Sequence, residues 1–203
     1  RHSTGPTEAD SRLMVQRNPA AGQGSSTLKD WLEYTTRWET GCSHNCHDPA
    51  CGGTTATMRY SIEQSSLPAI LTIALQRSQS VDDKDETAVD FPVQGLDMQP
   101  YCDGLGGTAV YDLFAFCNHV GGPSLRSGHY LAYARDSKGT SETWSEVDDA
   151  KVTSVRSVDD LLSAEHTQND NNTHAENYYS GTNHTNRDAR RDVYILFYKK
   201  RTA

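Results

Sequence analysis

Val110–Arg135 reads VYDLFAFCNHVGGPSLRSGHYLAYAR, and after a short polar gap Trp144–Asp149 reads WSEVDD. Val110–Asn118 (VYDLFAFCN) is a mainly apolar run rich in aromatic residues, a strong strand candidate. Gly121, Gly122, Pro123 and Ser124 interrupt it. His129–Arg135 (HYLAYAR) alternates, and Trp144–Val147 is a short strand ending in Asp148 and Asp149. His129 therefore opens a strand just after a Gly/Ser-rich loop, where a part-exposed imidazole exchanges protons near neutral pH. A catalytic histidine needs a partner on its second ring nitrogen to fix tautomer and orientation. Strands adjacent in sequence are usually adjacent in space, which makes Asp148 the candidate partner. On spacing alone, a surface histidine beside an ordinary acidic turn is the competing and commoner arrangement.

The whole chain sets the limits around this stretch. Its 203 residues suffice for one large domain or two small ones and for a substantial core. With 35% hydrophobic residues and a mean hydropathy of −0.72, part of the chain is expected in loops or tails. A formal charge of −8 argues against a nucleic-acid footprint. No apolar run reaches membrane-spanning length, and the first residues do not resemble a signal peptide. Five cysteines, three of them at Cys42, Cys46 and Cys51, read as reduced thiols of a cytoplasmic or nuclear protein rather than a disulfide framework.

Outward from the centre, residues 1–26 are Gly/Pro/Ser/Thr/Gln-rich and are expected to be a linker or disordered lead-in. Thr27–Glu39 (TLKDWLEYTTRWE) predicts an amphipathic helix, with Thr27 as cap and Asp30 as capping-box partner. Thr40–Thr55 holds Cys42, His44, Cys46, His47 and Cys51, a soft-ligand cluster without the second pair a zinc site usually shows. A loop that binds nothing fits as well as half of a zinc site. Thr57–Ile62 and Leu67–Leu75 predict strands, the latter buried. Gln76–Asp90 is polar and acidic and is expected to be a solvated loop. Val152–Ser163 contains a helix-like piece. Ala164–Arg191 is expected to be a mobile surface insertion. Asp192–Tyr198 (DVYILFY) closes the chain as a central strand. The order predicts an α+β domain on a twisted, mainly antiparallel sheet.

Six segments in order give a more specific reading. They are Leu67-Pro68 with Leu71, Leu75 and Arg77; Val89–Pro92 (VDFP); Tyr111, Leu113, Ala115, Asn118, His119 and Gly121; Gly128-His129-Tyr130 with Ala132-Tyr133; Trp144 with Asp148-Asp149; and Val193–Tyr198 (VYILFY). Together they resemble the C-terminal half of a ubiquitin-specific protease catalytic domain, across about two-thirds of the chain. The resemblance implies a papain-like palm over residues 66–203, with a partial fingers segment over residues 27–65. It implies that His129 is the general base and acid of a cysteine protease, oriented by Asp148, with Asp149 as a second acidic support. It places Asn118, His119, Gly128 and Tyr130 beside the groove for the ubiquitin tail. It implies no cofactor for catalysis, and a structural zinc at Cys42, Cys46 and Cys51. The implied partners are ubiquitin or a ubiquitin-conjugated protein, and no nucleic acid or membrane.

The departures are equally specific. The family's nucleophile segment, a Gly/Asn-rich stretch with cysteine at a helix start, has no match here. Cys117 falls mid-strand and Cys102 in a turn. The family's Lys-Arg-Phe is Gln76-Arg77-Ser78, its phenylalanine before the aspartates is Val147, and its Gly-Gly before the histidine is Ser127-Gly128. Two expectations follow. Either the nucleophile-bearing half lies upstream or on another chain, which the absent initiator methionine favours, or the protein is an inactive ubiquitin-binding scaffold. Another acyl-transfer enzyme on a papain-like sheet, such as a transglutaminase or amidase, is the remaining class.

Overall fold

The computed structural model describes residues 12–22, 24–43, 50, 52–80, 83–104, 109–121, 127–136, 143–155, 157–162 and 188–202. In chain order the strands are β1 (Leu13–Gln16), β2 (Ser26–Thr27), β3 (Glu39–Ser43), β4 (Thr55–Met58), β5 (Ile62–Glu63), β6 (Ile70–Gln76), β7 (Ser78–Ser80), β8 (Asp83–Lys84), β9 (Val89–Asp90), β10 (Leu96–Asp97), β11 (Cys102–Asp103), β12 (Val110–Val120), β13 (His129–Arg135), β14 (Trp144–Asp148), β15 (Lys151–Val155) and β16 (Val193–Lys200). The helices are α1 (Leu28–Thr36), α2 (Val158–Leu162) and α3 (Ala189–Asp192).

An eight-stranded sheet in the order β1-β6-β16-β12-β13-β14-β15, with β10 also on β12, carries the fold. Only β1 and β6 run parallel within it; the other pairs are antiparallel. This is the mainly antiparallel α+β architecture expected. β12 is the hub. Its first residues pair with β10, its later residues with β13, and its other edge with β16. Tyr111, Leu113 and Phe116 on β12 are fully buried, as are Leu196 and Tyr198 on β16. Phe116 stacks on Tyr133 with ring centroids 4.7 Å apart and tilts against Trp144 at 5.9 Å. The strands that will hold His129 and Asp148 are thereby fixed from beneath by aromatic packing.

Helix α1 forms as its sequence predicts. Asp30 N–H donates to Thr27 Oγ1 at 3.1 Å, and Thr27 N–H donates back to Asp30 Oδ2 at 2.8 Å. Leu28, Trp31 and Leu32 are the buried face. The helix ends at Thr36 rather than Glu39, because Glu39 opens β3.

Three expectations are corrected. The lead-in, residues 1–26, is not wholly a linker: Leu13–Gln16 is an edge strand of the main sheet. Leu13 and Val15 alternate inward, and parallel pairing with Ile73–Gln76 supplies the hydrogen bonds that so short a segment cannot make alone. Gln76–Asp90 is not simply a solvated loop, since Ser78 pairs with Lys84 across β7 and β8. The end of the 164–191 insertion is structured: Asp188 caps α3, and Ala189 is buried. Residues 163–187 lie outside the described residues. Among the described residues, no helix is long and apolar enough to cross a membrane.

Candidate active site

His129 is the first residue of β13 and pairs with Val120, the last of β12. Asp148 is the last residue of β14, on the other side of β13. Two strand ends therefore meet where the sheet opens to solvent. His129 Nε2 and Asp148 Oδ1 lie 2.5 Å apart, with the side chains about one-third and one-quarter exposed. An ionised carboxylate only accepts, so Nε2 carries the proton and donates. In that tautomer Nδ1 is the nitrogen that keeps a lone pair and is able to accept a proton. Asp149 follows in the two-residue turn to β15, with Asp148 opposite Lys151. Its φ of 49° lies in the left-handed region, which Asp tolerates better than most residues. One ligating atom each from His129, Asp148 and Asp149 falls within 4.8 Å of the others. The structure thus gathers all three residues that the sequence picked for catalysis.

The four residues expected beside the groove divide. Tyr130 is 59% exposed, and Gly128 is exposed. Asn118 and His119 are buried, and Asn118 Oδ1 and His119 Nδ1 have no hydrogen-bond partner among the described residues. The His119 ring packs against Gly128 and Tyr130. Its ring lies 4.8 Å from that of Tyr130, centroid to centroid. Burial first, and then the charge of Lys84, hold its imidazole pKa below 6.5. Gly128 has a φ of +153°, and a Cβ there would sit 2.7 Å from His119 Cε1 and 2.9 Å from the Val120 carbonyl oxygen. A Cβ on Gly121 would sit 2.9 Å from Gly128 Cα. The glycine before His129 is thus required by close backbone packing.

Sequence reasoning missed a set of buried ionic groups. Arg77 is 1% exposed, and its guanidinium donates to four carbonyls, those of Asp85, Thr87, Arg190 and Val193. Burial lowers its pKa to about 10, against the opposing pull of Asp85 and Asp192. Lys84 Nζ donates to the His119 carbonyl at 2.6 Å and to Asp192 Oδ1 at 2.9 Å. Tyr133 O–H donates to the buried Glu146 carboxylate at 2.9 Å, bracing β13 against β14 four residues along β13 from His129 and two along β14 from Asp148. The clue for Lys84 was slight: it is the one basic residue in an acidic run.

Cys102 and Cys117 do not resemble activated thiols. Burial pushes the Cys102 and Cys117 thiols up from their ordinary pKa, whereas a nucleophilic cysteine has its pKa lowered. Cys42 is half-buried on β3 and donates weakly to the Glu39 carbonyl at 3.5 Å. That is a thiol contact, and Cys46 and Cys51 lie outside the described residues.

A histidine–carboxylate pair at two strand ends, over a twisted antiparallel sheet, can be compared with known proteins. The family model described as ubiquitin carboxyl-terminal hydrolase matches residues 12–198. The chain belongs to that family, the ubiquitin-specific proteases. It is 37% identical over 131 residues to ubiquitin carboxyl-terminal hydrolase 4 of Bos taurus, covering 62% of this chain and 13% of that protein. It is 31% identical over 162 residues to ubiquitin carboxyl-terminal hydrolase 21 of Homo sapiens, covering 76% of this chain and 27% of the relative. The chain thus spans between about an eighth and a quarter of the length of these relatives. A structure of the yeast SAGA DUBm superposes with a TM-score of 0.63 at 21% identity, covering 95% of this chain and 35% of the other. The SAGA Ubp8/Sgf11/Sus1/Sgf73 DUB module bound to ubiquitin aldehyde gives 0.58 at 20% identity, covering 95% and 36%. These likenesses show the papain-like ubiquitin-specific protease fold.

Proposed function

We propose that this chain is the base-bearing part of a thiol-dependent deubiquitinase, which in its complete form hydrolyses ubiquitin from lysine side chains. The observation that carries the reading is the His129 Nε2–Asp148 Oδ1 contact at 2.5 Å. With Nε2–H donated to Asp148, His129 Nδ1 takes the proton of a cysteine thiol as the thiolate attacks the carbonyl of the ubiquitin C-terminal glycine. The lysine amine leaves with that proton, delivered back by the imidazolium, and a thioester remains. Water, deprotonated by the same Nδ1, then hydrolyses the thioester and restores the thiol. Asp148 stabilises the transient imidazolium. The exposed Tyr130 borders the groove through which the ubiquitin tail passes.

The nucleophile belongs to another segment, upstream or on a second chain, in keeping with the raised thiol pKa of Cys102 and Cys117. Isolated, this chain has no proteolytic activity. The partners are ubiquitin and the nucleophile-bearing half. The multi-subunit assemblies of the structural neighbours make a larger complex part of the proposal, in the cytoplasm or nucleus. A structural zinc on Cys42, Cys46 and Cys51 is a separate element, checked by metal analysis of the purified protein.

The test is turnover by the complete protein of a ubiquitin carrying a fluorophore on its C-terminal glycine. Turnover that disappears on blocking thiols supports the reading. Tight ubiquitin binding with no turnover would replace it with a ubiquitin-binding scaffold.

A further inference from the structure

We propose that Lys84 is a positioning residue for His129, acting through the His119 carbonyl with Asp192 as its counter-ion; this rests on the reading of His129 as the catalytic base. The side chains of Lys84 and Asp192 are 1% and 4% exposed, so neither charge is relieved by bulk water. Burying two ions is costly even when they are paired, and an apolar pair of similar volume often holds a core as well or better. An apolar pair would leave the His119 carbonyl without the bond at 2.6 Å that the ammonium gives it.

That carbonyl lies at a sensitive point. His119 pairs with Tyr130 across β12 and β13, and the next pair is Val120 with His129. The His119 ring packs so closely on Gly128 that no Cβ fits between them. Residues 128–130 therefore take their position from His119, and the backbone of His119 takes its position from Lys84. The other end of the staple is equally fixed. Lys84 belongs to the β7–β8 hairpin, and Asp192 ends α3. Arg77 ties both segments down through carbonyls at Asp85, Thr87, Arg190 and Val193. One ammonium thus joins the hairpin, α3 and the strand end that sets the height of the imidazole. Misplacement of a catalytic group by about 1 Å costs on the order of 100-fold in rate.

The complete protein is compared with Lys84→Met, Lys84→Met/Asp192→Leu and Asp192→Asn. Three readouts are taken: Tm, kcat and KM for a ubiquitin–fluorophore substrate, and the low-field proton signal of His129 Nε2–H in histidine-labelled protein. Lys84→Met strands a buried carboxylate and lowers Tm. The double variant regains Tm, yet its kcat falls by about 10- to 100-fold with KM within about twofold, and the His129 signal broadens or vanishes. A double variant with normal stability, normal kcat and an unchanged His129 signal overturns the proposal. If the double variant fails to fold, Lys84→Met decides, measured well below its Tm: a lost His129 signal with lowered kcat supports the proposal, and a wild-type signal and kcat overturn it. Asp192→Asn leaves the His119 carbonyl its donor, so its kcat falls less than that of Lys84→Met. If the unaltered protein does not cleave ubiquitin, the deubiquitinase reading fails by itself. The His129 signal still reports whether Lys84 sets the His129–Asp148 geometry.

Discussion

Gly128 packs against His119 so closely that a Cβ on Gly128 would stand 2.7 Å from His119 Cε1. The same Cβ would meet the Val120 carbonyl oxygen at 2.9 Å, and the φ of +153° disfavours any side chain. Gly128→Ala must therefore move His119, Val120 or the backbone at residue 128 itself. The expected cost is about 1–3 kcal/mol of stability, by analogy with overpacked cores. Urea titration of the variant checks the stability. The complete Gly128→Ala protein also loses kcat more than it gains KM, because the displaced residue is next to His129.

Asp148→Asn keeps the shape of the side chain and removes its charge. The amide no longer enforces Nε2–H on His129, nor stabilises an imidazolium. Steady-state kinetics of the complete protein should show kcat lower by about 10²–10⁴-fold, while ubiquitin affinity stays nearly constant. A change smaller than threefold would mean that the 2.5 Å contact has no catalytic role.

His119 adds a pH dependence to stability. Its pKa is depressed below 6.5 by burial and by Lys84. Below pH 6.5 the unfolded chain binds a proton at this position before the folded chain does. The contribution is therefore complete above pH 6.5 and is lost as pH falls toward the lowered folded value. Tm of the wild-type protein should decline from pH 7 to pH 5, and His119→Asn should decline less steeply. Parallel Tm–pH curves for the two proteins would show that His119 is not the group responsible.

Arg77→Lys preserves a positive charge but not the fork that reaches four carbonyls. Lysine offers three donors on a flexible stem, so carbonyls among Asp85, Thr87, Arg190 and Val193 are left unpaired in a buried place. The expected loss is about 2–4 kcal/mol, which for a protein of this size corresponds to roughly 4–16 °C in Tm. Calorimetry of the variant checks it.

β12 and β16 are legible as apolar, aromatic-rich runs of strand length, and β13 and β14 as short segments that bury one face. The meeting of His129 and Asp148 is legible because consecutive strands pair and the two residues stand at the strand ends. Leu13–Gln16 was hidden for a physical reason: four residues between polar neighbours carry little periodicity, and the parallel partner Ile73–Gln76 is far along the chain. Arg77 and Lys84 were hidden for another. Their surroundings in sequence are polar, and their burial depends on carbonyls and a carboxylate from Arg190–Val193, which no local pattern announces. The divided fates of Asn118 and His119, buried, and Tyr130, exposed, likewise follow from packing rather than from alternation.

The central claim is that His129, held by Asp148, activates a cysteine carried elsewhere in the complete protein. Its most direct measurement is the rate at which the complete protein forms a covalent adduct with a ubiquitin bearing an electrophilic C-terminus, in wild type and in His129→Ala. The account predicts one adduct per molecule, on a cysteine outside this chain, formed at least about 100-fold more slowly in His129→Ala. Bound ubiquitin without any adduct, or an adduct formed equally fast in His129→Ala, would contradict it.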